Sequence, residues 1–296
     1  MSEQDWLAQR FEEHRRRLRA VAYRMLGSTS EAEDAVEETW LRLSGSEPGE
    51  IENLSGWLTT VVARVSLNML RSRATRREEP LSPHLPDPIV DRADDIDPEH
   101  EALLADSVGL ALLVVLETLT PPERLAFVLH DMFGVPFEEI APLIDRSPQA
   151  ARQLASRARR RVRAQPTNPD VDVSAQREVI NAFLAAARGG DFDALVATLD
   201  PDVVLRADGG AALAAVSGEV RGALNVARRA AAWSGVDLTM HPALVNGVAG
   251  VVATRKGVVF TIASVIVRNG KIAEMDFLAD PERLARLDLT ILDGRD

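Results

Sequence analysis

Apolar residues in the first third of the chain recur at helical spacing in three runs. Between about Asp5 and Leu26, the residues Phe11, Leu18, Val21, Ala22 and Met25 share one face, and Gly27 supplies a stop. That helix turns Arg15, Arg16, Arg17 and Arg19 outward. A second helix opens at "STSEAED", where Ser30 and Glu33 have capping-box spacing; it buries Ala32, Ala35, Val36, Thr39, Trp40 and Leu43 and leaves Glu31, Asp34 and Glu38 on the far side. The stretch "SGSEPGEIENLSG" reads as loop. A third helix, from about Ser55 to Thr75, buries Leu58, Val61, Val62, Val65 and Met69 and aligns Arg64, Asn68 and Arg71 on another face.

The pattern then breaks. Residues 78–98, "EEPLSPHLPDPIVDRADDIDP", contain five prolines and seven acids, and are expected to form an extended linker without a core. Helical periodicity resumes over about Glu99 to Leu119. "TPPE" (Thr120 to Glu123) marks a new helix start, with Leu125, Val128, Leu129 and Met132 as its buried stripe and Gly134 as its end. The run "VPFEEIAPLIDRSPQAARQLASRARRRV" reads as helix, tight turn, helix: Phe137, Ile140, Ala141 and Ile144 line the first, and Ala151, Leu154, Ala155, Ala158 and Val162 the second. Pro142 predicts a shortened or bent first helix, and Asp145 stands where the turn needs left-handed backbone.

After a polar stretch at 165–173 the periodicity changes. A helix over about Ser174 to Arg188 and a short one in "GGDFDALVATL" precede strand-like runs: "DVVLRAD", "HPALVNG", "GVVATRKG", "VVFTIASVIVRNG" and "KIAEMDFLAD". Asn-Gly at Asn246 and Asn269 predicts hairpins, and one helix near Gly222 to Trp233 interrupts the strands. The expected fold is therefore multidomain: two all-α domains (1–77 and 99–164) joined by the linker 78–98, and an α+β domain (174–296) after the linker 165–173.

Charge sharpens this picture. The formal net charge is −11, yet its distribution is blocked: residues 57–77 carry five arginines and no acid, 78–106 ten acids against Arg92 alone, and 146–164 seven arginines and no acid. Local charge decides whether nucleic acid binds. The second helix of the helix-turn-helix presents Gln149, Arg152, Gln153, Ser156, Arg157 and Arg160 outward, side chains able to make bidentate contacts to guanine and adenine; a solvated basic face is the alternative. At ~3.3 Å per residue the linker could reach roughly 70 Å, about 20 base pairs at ~3.4 Å each, so one chain could read two separated elements. There is no cysteine, and the five histidines lack ligand-like spacing, so neither disulfide nor metal is expected. No run of about 18 apolar residues suggests a membrane span, and the chain is expected to be cytoplasmic.

"AEDAVEETWLRL", "GWLTTVVARVSLNMLRSR" and "LTPPERLAFVLHDMFGVPFEEIAPLIDRSPQAARQLASRARRRV" resemble regions 2 and 4 of extracytoplasmic-function (ECF) sigma factors of the sigma-70 class. The remainder resembles the SnoaL-like, cystatin-type α+β cone appended to a subgroup of them. A WLPEP-type linker motif is matched by "HLPDP" (His84, Leu85, Pro86, Asp87, Pro88), a DGGGK-type motif by "DGGAA" (from Asp208, Gly209 and Gly210), and an NPDKL-type motif by "DPERL" (Asp280, Pro281 and, at its end, Leu284). His84 stands in place of the first motif's tryptophan, and Ala212 in place of the second motif's lysine.

The resemblance implies a non-enzymatic factor that binds core RNA polymerase, through its beta-prime and beta subunits, and promoter DNA. It implies that Asp34, Glu37, Glu38 and Trp40 dock on the beta-prime clamp helices. It assigns Arg64, Asn68, Arg71, Arg73, Arg76 and Arg77 to the −10 element, and Gln149, Arg152, Gln153, Arg157 and Arg160 to the −35 element, with Arg159, Arg161 and Arg163 on phosphate. The acidic linker would occupy the polymerase's positively charged RNA exit path. The "HLPDP", "DGG" and "DPERL" segments are expected to meet one another and regulate in cis. Cones of this type can also hold a small ligand, and an isomerase or hydrolase fused to a DNA reader, using Asp208, His241 or Asp276, is one alternative. A polymerase-independent helix-turn-helix regulator is the other.

Overall fold

The computed structural model describes residues 3–46, 51, 53–76, 84–92, 109–164, 172–287 and 289. They fall into two compact units. One comprises residues 1–79, 101–106 and 113–166; the other comprises 80–100, 107–112 and 167–296.

The helical unit begins with α1 (Glu3–Leu26), α2 (Thr29–Ser44) and α3 (Leu54–Arg76). Phe11, Leu18, Val21, Ala22 and Met25 of α1 are all buried, as are Ala32, Ala35, Val36, Thr39 and Leu43 of α2. The cap of α2 differs from expectation. Ser28 is its N-cap, accepting from the Glu31 amide, and Glu33 is drawn instead to Arg19 at 2.6 Å and Arg15 at 3.4 Å. Helix α3 buries Ala63, Ser66, Leu67 and Leu70 besides the predicted Leu58, Val62 and Val65, because α1 and α2 pack on one side of it and a later helix, Pro121–Phe127, on another.

Next in chain order come α4 (Gly109–Glu117), of which residues 113–117 belong to this unit, and then α5 (Pro121–Phe127), α6 (Phe137–Ile140) and α7 (Pro148–Ala164). Glu123 caps α5 by accepting from both the amide and the hydroxyl of Thr120. A π-helical turn, Val128–Met132, extends α5 to the Gly134 stop. Pro142 has the predicted effect: α6 gives way to a 3₁₀ turn over Ala141–Ile144, and Asp145 then adopts left-handed φ 54° and ψ 48°. Arginines tie the two sets of helices together. Arg124, 3% exposed, donates to the Met25 carbonyl at 2.8 Å and to Glu117 at 2.9 Å, while Arg24 lies over the Phe133 ring.

The second unit is α+β. Helices α8 (Val173–Gly189) and α9 (Phe192–Thr198) pack on a seven-stranded sheet, with α10 (Ala223–Ala231) and α11 (Pro281–Leu284) completing it. The strands are β1 (Val90–Arg92), β2 (Leu199–Asp208), β3 (Gly218–Arg221), β4 (Thr239–Val245), β5 (Val248–Arg255), β6 (Val258–Arg268) and β7 (Lys271–Leu278), in the order β1-β4-β5-β6-β7-β2-β3. Only the β2–β7 pair is parallel among these neighbours. Both predicted Asn-Gly turns form, and a third, Lys256-Gly257, also takes positive φ at both residues.

Strand β1 corrects the linker expectation. Within the segment read as a coreless connector, residues 85–91 are buried, and Val90, Asp91 and Arg92 pair antiparallel with Val245, Leu244 and Ala243. Five prolines and seven acids hide a stretch, Leu85 to Val90, with enough apolar side chains to be packed by a partner sheet.

Candidate nucleic-acid interface and linker clasp

Helix α7 separates its residues by angle. Ala151, Ala155 and Ala158 are fully buried, which seats the helix close to its neighbours and leaves Gln149, Arg152, Gln153, Ser156, Arg157 and Arg160 exposed on the opposite face. The Arg152 guanidinium also lies over the Phe137 ring, 5.2 Å from its centroid, so the preceding helix steadies its head group. Two arginines expected on phosphate are engaged within the unit: Arg159 pairs with Asp131 at 2.9 Å and Arg161 with Glu123 at 3.0 Å. Burial raises the Asp131 carboxyl above its ordinary value despite Arg159. Burial also acts on Glu123, but Thr120 and the nearby Arg161 and Arg157 outweigh it and hold that group below the usual range.

On α3, Arg64, Asn68 and Arg71 are exposed on one face. Arg73 is different. It is half-buried, paired with Glu31 of α2, and donates to the Leu26 carbonyl at 3.0 Å, so it joins α1, α2 and α3 instead of facing out with the other three. Arg76 ends α3, and Arg77 lies outside the described residues. On α2, Asp34 and Glu37 are exposed, Glu38 pairs with Arg42 at 3.0 Å, and Trp40 is half-buried against Phe11 with ring centroids 5.2 Å apart.

The three motif segments of the second unit meet. Asp208, at the end of β2, is 4% exposed and accepts from the Leu85 amide at 3.0 Å and from Arg283 at 2.8 Å. Arg283 on α11 also donates to Asp87 through Nε at 2.9 Å and to the Leu85 carbonyl at 2.6 Å. Further along, the Ile89 amide donates to Asn246 at 3.1 Å, and the Asn246 amide donates to the Ile89 carbonyl at 2.8 Å. The glycines of "DGG" are demanded by space. Gly210 has φ +60°, and a Cβ there would lie 2.1 Å from Asp280; one on Gly209 would lie 2.5 Å from the Leu213 carbonyl.

Sequence reading missed Arg283 and Asn246. The signal for Arg283 was present, as the one cation in a motif expected to meet an acidic segment. Asn246 was read only as a turn residue, and its buried side chain holds the linker as well.

Beneath the sheet lies a cavity of about 170 Å³, walled by α8, α10 and the concave face of the strands. Its lining includes Phe183, Leu205, Trp233, Phe260, Met275 and Phe277. The three candidate catalytic groups are absent from that lining. Asp208 is in the clasp, and His241 meets the Thr254 hydroxyl at 2.9 Å. Asp276 pairs with Arg206 at 2.8 Å beside Glu274, and burial pushes its carboxyl up to about 6. No helix among the described residues is long and apolar enough to cross a membrane.

Two exposed, arginine-bearing helix faces thus stand on α3 and on α7, the second of them in a helix-turn-helix, the arrangement on which the resemblance to the sigma-70 class rests. The Sigma-70 region 2 model matches residues 10–76, and the Sigma-70, region 4 model matches 109–162. The chain is 39% identical to the ECF RNA polymerase sigma factor SigJ of Mycobacterium tuberculosis over 92% of its length and 91% of the relative's. It is 34% identical to the probable ECF RNA polymerase sigma factor SigI of the same species, over 96% and 97% of the two chains. The crystal structure of M. tuberculosis SigJ superposes with a TM-score of 0.74 at 36% identity, covering 95% of this chain and 99% of that one. The chain belongs to the ECF RNA polymerase sigma factors. It therefore acts with core RNA polymerase in transcription initiation, which decides against a polymerase-independent regulator, and it carries a further α+β domain of the expected SnoaL-like class.

Proposed function

We propose that the α+β domain controls this sigma factor in cis by holding the connector between its two DNA-reading regions. The observation that carries this reading is the linker clasp: Leu85 to Arg92 forms part of the α+β unit, fixed by Asp208, Arg283 and Asn246. A connector of 78–98 that is free along its length could span roughly 70 Å at ~3.3 Å per residue; pinning its middle removes that reach. In this reading Arg64, Asn68 and Arg71 meet the −10 element, with Arg76 and Arg77 on nearby phosphate. Gln149, Arg152, Gln153, Arg157 and Arg160 meet the −35 element. The exposed Asp34 and Glu37, with Glu38 and Trp40, dock on the beta-prime clamp helices. The site of action is the cytoplasm, and the factor itself catalyses no reaction.

In-vitro transcription with core polymerase tests the reading, comparing the full chain, the full chain with Arg283→Glu, and a chain ending at Gln165. The expected result is that Arg283→Glu and the truncation shift promoter-dependent output in the same direction. Unchanged output from both would overturn cis control, and loss of output on charge reversal at Arg157 but not at Arg283 would separate DNA reading from the clasp.

A further inference from the structure

The arginines of α7 are held in two different ways. Arg159 and Arg161 spend nitrogens on Asp131 and Glu123, at 2.9 and 3.0 Å. Arg152 has no carboxylate partner among the described residues, and its guanidinium lies over the Phe137 ring instead. The distinction matters for recognition. An ion pair consumes N–H groups that would otherwise reach a base, whereas the face of a ring attracts the cation and leaves its donors free. Arg152 also stands in the second turn of α7, and the N-terminal residues of a recognition helix are the ones that meet base edges.

The ring beside Arg152 is itself braced. Phe137, 5% exposed, is stacked against the imidazole of His130, with centroids 3.8 Å apart and planes inclined by 28°. The Val135 carbonyl can only accept, so Nδ1 of His130 carries a hydrogen and donates to it at 3.0 Å, which fixes the imidazole plane. Local backbone brings the two rings together. The π-helical turn Val128–Met132 carries His130, Gly134 reverses the chain at φ +70°, and Pro136 caps α6 so that Phe137 is its first residue.

We propose that Phe137 is a positioning residue for base recognition: braced by His130, it holds the Arg152 guanidinium with its donors free, and Arg152 forks onto O6 and N7 of one guanine in the −35 element. The inference rests on the reading that α7 meets that element. It goes further by assigning specificity at one base pair to a buried ring that acts only through its neighbour. An unbraced arginine gives up rotamer freedom on binding and turns as readily to a phosphate as to a base; a braced one has lost much of that freedom beforehand.

Holoenzyme assembled with the full chain tests this by competition binding to promoter duplexes in which each −35 base pair is replaced in turn. The preference at each position is a ratio of two affinities, so it does not depend on the fraction of chain that is folded. Arg152→Ala and Arg152→Lys are both expected to flatten the preference at the same G·C pair by about tenfold, the second because an ammonium has neither fork nor plane. Phe137→Leu keeps an apolar side chain in the core, and is expected to lower the preference at that pair alone by about two- to fivefold. Phe137→Tyr keeps the ring and should retain the preference. Added to Arg152→Ala, Phe137→Leu should cost nothing further at that pair. If the Arg152 variants leave every −35 preference intact, Arg152 reads no base, and its place in the −35 reading falls together with the inference. If they flatten one position and Phe137→Leu leaves it untouched, the positioning role is overturned and the −35 reading stands. A loss in Phe137→Leu that spreads evenly over all positions, or that Phe137→Tyr shares, reduces Phe137 to a packing residue and also overturns the inference.

Discussion

Arg157 and Arg283 carry the same guanidinium in opposite surroundings. Arg157 stands on the outer face of α7 beside exposed Gln153 and Arg160, while Ala155 and Ala158 beneath it do the packing. Arg283 is half-buried, and its nitrogens are distributed over Asp87, Asp208 and the Leu85 carbonyl. Arg124 and Arg206 belong with Arg283, each lodged against carboxylates that are themselves shielded. Removing an arginine of the second kind strands a carboxylate in a poor solvent; removing one of the first kind strands nothing. The two kinds should therefore separate in stability measurements even where their chemistry is identical.

The largest loss is expected at Arg124→Ala, which frees the Met25 carbonyl and leaves Glu117 without its cation. Breaking a buried pair of this type costs about 3–5 kcal/mol, readable as a fall in the urea midpoint of the helical unit. Arg283→Ala should cost about 3 kcal/mol for the same reason and, unlike Arg124→Ala, should release exchange protection at Leu85. Arg283→Lys keeps the charge but not the fork, and is expected to fall between. A loss below about 0.5 kcal/mol at Arg283 would place it with Arg157 and dissolve the distinction.

The clasp glycines sharpen the comparison on the backbone side. Gly134 and Gly210 have nearly the same dihedral, φ +70° and +60°, but a Cβ on Gly134 meets nothing within 4 Å, whereas one on Gly210 collides with Asp280. Gly134→Ala should thus cost roughly 1 kcal/mol of backbone strain. Gly210→Ala should cost about 1–3 kcal/mol and disturb the cap that Asp280 forms on the Glu282 amide. Equal thermal shifts for the two variants would mean that the Gly210–Asp280 contact is not tight.

Much of this arrangement was legible from residue order. Period and turn chemistry found the α7 stripe, the break at Pro142, the left-handed Asp145 and both Asn-Gly hairpins, because each is decided within a few residues. Strand β1 was not legible: a strand added at a sheet edge is specified by its partner β4, more than a hundred residues away, and its own composition resembles a linker. Arg73 was misjudged for a related reason. It is close in sequence to exposed Arg71, and only the packing of α2 on α3 brings Glu31 to it. Local pattern predicts which side of a helix is wet, but not which cation on the boundary has found an acid.

Asp276 offers a smaller, pH-dependent effect within the buried set. Its folded-state carboxyl is pushed up to about 6 by burial, which the pairing with Arg206 only partly offsets. The folded chain therefore holds this proton more tightly than the unfolded chain, so the contribution to stability is complete below about pH 4 and is lost as pH rises through about 6. Relative to Asp276→Asn, the unmodified chain should lose stability over that window, with a slope of at most about 1.4 kcal/mol per pH unit. Parallel stability profiles for the two proteins would show that Arg206 keeps Asp276 ionised throughout.

The smallest change in stability is expected where the functional change should be large. Arg157→Ala and Gln153→Ala remove exposed side chains from the outer face of α7 and leave Ala151, Ala155 and Ala158 in place, so unfolding midpoints should correspond to changes within about 0.5 kcal/mol. Promoter binding by the holoenzyme should nonetheless weaken by about 1–3 kcal/mol for each, and only on promoters that retain the −35 base pair the side chain reads. A −35 mutation made together with the protein substitution should then cost little more than either alone. If Arg157→Ala instead weakens binding equally on all promoters and lowers the salt dependence, Arg157 is a phosphate contact, and base reading falls to Gln149, Arg152, Gln153 and Arg160.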